Sequence, residues 1–188
     1  MFLKILFLCL FMLLGGGIFA DENATYSESK NNVQFGIYPD LQVLDKNEKV
    51  YGIRCSFPIA ENSTMIGLDF GGFSRNTKYF YGALFNLIGV YNDRNAAGVN
   101  ATCIFHYTAW NFNGFSFAGV FNNVFHRITG LQASLIANNA RQVSGMQFSL
   151  FNYCEDLNGV QLGLVNIYNN GTIPFSILVN FGNNVKSK

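Results

Sequence analysis

The chain has 188 residues, with 12 Lys+Arg against 11 Asp+Glu, so it carries no basic footprint for nucleic acid. Hydrophobic residues make up 49% of it and Phe alone supplies 20 positions. That is enough for one domain, but no segment after residue 20 is continuously apolar over the length of a spanning helix, so any membrane contact has to come from alternating strands.

Residues 1–20 read as a secretory signal peptide. Met1 to Lys4 form a short positive start, Ile5 to Leu14 an apolar run too short for a spanning helix, and Gly15 to Ala20 a small-residue exit ahead of Asp21. Residues 21–32 follow as a flexible mature N-terminus. Val33 to Leu44 alternate as a strand interrupted at Pro39.

Most of the remaining chain is one short unit repeated. Gly52, Gly67, Gly82, Gly98, Gly114, Gly130, Gly145 and Gly159 recur at steps of 15, 15, 16, 16, 16, 15 and 14 residues. Two residues before each glycine stands an apolar side chain, from Val50 and Met65 to Val143 and Leu157. One and three after it the residues are again apolar, as in Leu68 and Phe70 or Met146 and Phe148. Two after lies a mostly polar column: Arg54, Asp69, Leu84, Asn100, Ser116, Gln132, Gln147 and Gln161. This period-two alternation predicts one β-strand of about nine residues per unit, separated by turn-like stretches of Asn, Asp, Ser and Gly. A glycine inside every unit and abundant Phe, Tyr, Val and Ile argue against helix. Thr172 to Gly182 form a last strand, with Ile173, Phe175, Ile177, Val179 and Phe181 on one side, and residues 183–188 make a C-terminal tail. Residues 33–182 therefore constitute a single β-repeat domain.

Two all-β architectures accommodate such a repeat. In a small closed antiparallel outer-membrane-type β-barrel of about ten strands, the band of three apolar residues faces lipid and the Gly, polar and small columns face inward. In a parallel β-solenoid, each unit stacks on the last and the apolar columns are buried. The unit is nearly palindromic about its polar position, so reversing alternate strands preserves the pattern. Eight units and two outer strands give an even number that closes, and strands of about 9–11 residues suit a tilted bilayer crossing. The barrel is the expected fold and the solenoid its alternative.

The stretches Val33-Gln-Phe-Gly-Ile-Tyr-Pro-Asp-Leu-Gln42, Val50-Tyr-Gly-Ile-Arg54, Gly67-Leu-Asp-Phe-Gly71, Gly130-Leu-Gln132, Gly145-Met-Gln147, Gly159-Val-Gln-Leu-Gly-Leu-Val-Asn166, Ile173-Pro-Phe175 and Val179-Asn-Phe181 resemble the bacterial surface-repeat proteins built on Gly-Leu-Gln-Leu-Gly-Leu-Val-Asn units. The resemblance spans roughly residues 33 to 182 and is looser from Gly82 to Phe121, where the Gln is missing. It implies an envelope or surface location, with no known activity. The tail after Phe181 departs from the terminal aromatic common in inserted barrels.

Chemistry-bearing residues are few. His106 and His126 have no acid or cysteine at metal-like or triad-like spacing, so no catalytic, metal or cofactor site is expected. Asn23, Asn62, Asn100 and Asn170 head glycosylation-type triplets at about the frequency chance gives, and Trp110 reads as an interface or turn aromatic. Cys55 and Cys103 lie on the apolar face, three units apart and out of bridging range, whereas Cys154 is expected at a reactive strand end. Arg54, Asp69, Asn100, Ser116, Gln132, Gln147 and Gln161 are expected to form a structural polar belt, with Arg54 and Asp69 as its ion pair. The sequence thus predicts an exported, non-catalytic protein at the outer membrane or surface of a bacterium with two membranes, in contact with outer-membrane lipid and with a filled barrel interior. The alternative is a secreted or surface-held, adhesin-like solenoid, or a periplasmic protein; a protein or glycan partner stays open.

Overall fold

The computed structural model describes residues 33–183. The expected signal peptide (1–20), the expected flexible segment 21–32 with its Asn23 triplet, and residues 184–188 of the expected tail lie outside the described residues, whereas Asn183, the first residue of that expected tail, is the last residue of a strand. Within them the chain is all strand: β1 (Val33–Tyr38), β2 (Leu41–Gln42), β3 (Lys49–Asn92), β4 (Ala96–Thr102), β5 (Phe105–Thr108), β6 (Asn111–Ala118), β7 (Phe121–Ser134), β8 (Ala137–Phe148), β9 (Phe151–Tyr168) and β10 (Phe175–Asn183). The strand order is β10-β9-β8-β7-β6-β4-β3-β1-β2, with β5 pairing β3 and β7.

The pairing is parallel wherever one repeat meets the next, with Gly82 opposite Gly98, Gly98 opposite Gly114, Gly114 opposite Gly130 and Gly145 opposite Gly159. The protein is therefore a parallel β-solenoid of about eight turns. This corrects the expected barrel, because β2 and β10 stand at opposite ends of an open order and never close. The glycines supply the reason. All eight adopt φ between +119° and +144°, a region that L side chains rarely enter. From Gly67 onward each also lies against its predecessor: a Cβ on Gly130 would run into the carbonyl oxygen of Gly114. Such nesting needs glycine directly over glycine, which a parallel stack provides at every turn. An antiparallel neighbour, reversed about the polar position, would set each glycine against the residue four places after it.

The expectation of one strand per repeat is also corrected. Each later turn carries a second strand segment, and these segments pair in their own parallel ladder through Gly89–Asn92, Phe105–Thr108, Phe121–Val124, Ala137–Ala140 and Phe151–Cys154. The Asn-rich stretches read as turns thus build a second sheet. Asn is depleted in strands because its side chain bonds nearby backbone groups and so favours turns. Here the inward amides bond to one another along the stack.

The facing of the Gly-bearing sheet differs from the solenoid anticipated from sequence. The column two before the glycine, including Val50, Met65, Phe80, Phe112, Ile128 and Leu157, is buried against Val124, Ala140, Cys154 and Tyr168 of the second sheet. The polar column also points inward, as the barrel reading had it. The columns one and three after the glycine point outward, leaving Phe70, Phe85, Phe115, Phe117 and Phe148 exposed.

Both ends are finished differently from the turns between them. At the start, β1 sets Gln34 beside Arg54, and β2 folds back antiparallel after the Pro39–Asp40 turn. The Gln34 carboxamide accepts from Leu44 N (2.8 Å) and donates to Leu44 O (3.2 Å). At the other end β10 reverses direction on β9, placing Asn180 beside Gln161 and Gly182 beside Gly159. Its ladder shifts register between Ser176 and Leu178, where Leu178 takes φ +70°.

Candidate functional site

Arg54, Asp69, Asn100, Ser116, Gln132, Gln147 and Gln161 are all fully buried in one inward column. Leu84, also buried, divides it into two networks. In the first, Arg54 Nη2 donates to Asp69 Oδ2 at 2.6 Å, Arg54 Nη1 to Asn62 Oδ1 at 3.3 Å, and Ser56 Oγ to Asp69 Oδ1 at 2.9 Å. Arg54 Nε has no protein partner among the described residues. In the second, Gln161 Nε2 donates to Gln147 Oε1 and Gln147 Nε2 to Gln132 Oε1, each at 2.8 Å. A buried amide left unbonded costs about 1–3 kcal/mol, so each turn depends on its neighbours to satisfy this column.

A second inward column went unrecognised in the sequence: Ser74, then the apolar Val90, then His106, Asn122, Asn138, Asn152 and Asn166. Asn138 Nδ2 donates to Asn152 Oδ1 (3.0 Å) and Asn152 Nδ2 to Asn166 Oδ1 (2.9 Å). The recurring Asn seven or eight places after the glycine was the available signal, and it was absorbed into the turn reading.

His106 takes the Asn place in its turn. The ring is buried, within hydrogen-bond reach of Asn122 Oδ1 (2.9 Å), Thr108 Oγ1 (3.1 Å), Asn100 Nδ2 (3.2 Å) and the Ser116 hydroxyl. Burial pushes its pKa down from 6.5 to about 4, against a smaller upward pull from the Asn122 hydrogen bond. Serine and imidazole thus meet in a dyad-like contact, but both side chains are sealed from solvent, and a nucleophile needs a path to substrate. The contact is a structural cross-link. His126, in contrast, is half-buried, with Nδ1 3.0 Å from Asn111 Oδ1. No group of three His, Cys, Asp or Glu placed to hold a metal ion occurs among the described residues.

Cys154 requires a correction. It is buried rather than at a reactive strand end, receives a hydrogen bond from Gln161 Nε2 (3.3 Å), and burial pushes its thiol up to about 12. Cys103 is exposed and Cys55 half-buried. Two of the glycosylation-type residues, Asn62 and Asn100, are buried and out of reach of a transferase in the folded protein, whereas Asn170 is exposed.

The outer surface carries the accessible chemistry. On the Gly-bearing sheet, the columns one and three after the glycine run without a charged residue from Val33 and Phe35 to Val179 and Phe181. Ten strands at about 4.8 Å spacing make this stripe roughly 40 Å long. Apolar patches of that extent are uncommon on monomeric soluble proteins. No family model, curated protein or solved structure matches the chain.

Proposed function

We propose that the protein is an exported, non-catalytic β-solenoid of a bacterial envelope, working as a surface-held binding module that seats its apolar stripe on lipid without spanning the bilayer. The observation that carries this reading is a partial inversion of the usual arrangement. Amides, an imidazole and an ion pair share the interior with the apolar column of Val50 to Leu157, while Phe70, Phe85, Phe115, Phe117 and Phe148 stand outside. A protein partner is recognised through hydrogen bonds as well as apolar contact. The two outward columns are apolar throughout, apart from the cysteine thiol of Cys55, and lie in flat register, which suits a fluid apolar surface. The resemblance to bacterial surface-repeat proteins supports the same address. The buried serine–imidazole contact leaves the non-catalytic reading intact.

The test is flotation with phosphatidylethanolamine–phosphatidylglycerol vesicles. The parent protein should float with the vesicles and be released by an alkaline wash, because it lies on the surface. Phe148→Arg, at an exposed position, should fold normally and lose at least about tenfold in partitioning, since burying a Phe contributes ~1.5–3 kcal/mol. Failure of the parent to float, or unchanged flotation of both Phe115→Arg and Phe148→Arg, would refute the lipid contact.

A further inference from the structure

A second accessible feature lies away from the stripe, at the corner where β5 of the second sheet hands over to β6 of the Gly-bearing sheet. A cleft of about 530 Å³ opens there, lined by Tyr107, Ala109, Trp110, Phe125, His126 and Arg141. That volume lies within the range of about 300–1,000 Å³ typical of small-ligand sites.

The cleft coincides with a defect in the repeat. Val124 pairs with Ala140 and Arg127 with Gln142, so two residues, Phe125 and His126, oppose the single Arg141. This is where the glycine step shortens from 16 to 15 residues. Bulges of this kind redirect side chains, and they are over-represented beside binding and catalytic sites. Here the bulge leaves Phe125 62% exposed, next to Trp110 at 54%. The His126 ring leans against the indole at 5.6 Å between centroids, tilted by 35°. Tyr107 is held from the other side by stacking on Tyr91 at 4.5 Å. Tyr107 and Trp110 are thus each braced by a ring neighbour, and Trp110 and Phe125 present open surface.

We propose that this cleft binds a neutral saccharide, with a pyranose ring laid on Trp110 and Phe125 and its hydroxyls bonded at the Arg141 end. A pyranose has an apolar C–H face that matches an aromatic ring, and its hydroxyls both donate and accept. The Arg141 end offers both functions, because Arg141 Nε donates to Glu155 Oε2 at 2.9 Å and the carboxylate stands beside the guanidinium. That pairing also decides the charge of the ligand. The guanidinium is already compensated, so an anionic sugar or phosphate would meet the Glu155 carboxylate without a free cation to reward it. A hydrocarbon chain would leave Arg141 and His126 without use. The site is independent of the lipid contact, since it occupies the corner rather than the stripe.

Trp110 is the only tryptophan in the chain, so its fluorescence reports this cleft alone. The mature protein is titrated with maltohexaose, cellohexaose and chitohexaose, followed by fluorescence and calorimetry, with oligogalacturonate and adenosine as comparisons. At least one neutral oligosaccharide should shift the emission and bind with Kd of about 0.1–1 mM. Trp110→Ala should weaken that binding at least about tenfold by calorimetry. Phe125→Ala should do likewise, and it decides the matter if circular dichroism shows the Trp110 variant to be misfolded. Leu135→Ala, exposed just past the end of β7 and outside both the stripe and the cleft, should bind like the parent. The proposal is overturned if all three neutral sugars leave emission and heat unchanged, if binding survives the cleft variants, or if only oligogalacturonate or adenosine titrates.

Discussion

Replacing Asp69 by Asn tests the interior at its most demanding point. Arg54 and Asp69 are both fully buried and meet at 2.6 Å, and each has one further polar partner, Asn62 for the guanidinium and Ser56 for the carboxylate. Asp69→Asn keeps the volume and removes the countercharge, leaving a guanidinium in the core with neutral neighbours. Breaking a buried pair from one side costs about 3–5 kcal/mol, because the remaining charge has neither water nor partner. The double variant Arg54→Gln with Asp69→Asn removes both charges and extends the amide column from Gln34, which already lies beside Arg54 in the ladder. It should recover most of the loss. Urea titration at neutral pH measures all three proteins, with the order parent, double variant, single variant expected at well-separated midpoints. Equal midpoints for the three, or a double variant as unstable as Asp69→Asn, would show that the charge is not confined by the fold and would refute the reasoning.

Two further outcomes follow from buried titratable groups. Folded His106 takes its proton only below about pH 4, whereas in the unfolded chain it does so near 6.5, so the unfolded state binds more protons across that interval. Its contribution is full above pH 6.5 and falls by about 3 kcal/mol on acidification to pH 4; His106→Asn, which restores the Asn of this column, should remove that part of the acid slope in denaturation curves collected at several pH values. Among the thiols, Cys103 should react with a charged, water-soluble maleimide in the native protein, while Cys154 should stay silent until denaturant is added. Native labelling of Cys154 by mass spectrometry would mean that the last turns open.

How much of this was legible in the sequence can be judged from particular columns. The glycine spacing, and the placing of the columns of Val50 to Leu157 and of Arg54 to Gln161 on one shared face, are local consequences of repeat length and period-two alternation. Parallel against antiparallel stacking was not determined locally, because the unit reads nearly the same in both directions. Tertiary structure decided it through Gly–Gly nesting at positive φ, which needs like over like. The Asn column was hidden for a related reason. Asn138 and Asn152 look like turn residues until a neighbouring turn supplies the partner amide at 3.0 Å, and the bond exists only across the stack. The cleft at Trp110 shows the same limit. A one-residue change in glycine spacing is visible in the sequence, but only the ladder reveals that the extra residue falls at Phe125 and His126, opposite Arg141, and turns those side chains outward. What repeats and which side chains alternate is written along the chain, whereas the face that meets its own copies and the face that meets the outside are set by contacts between residues about 15 positions apart, which exist only once the turns have stacked.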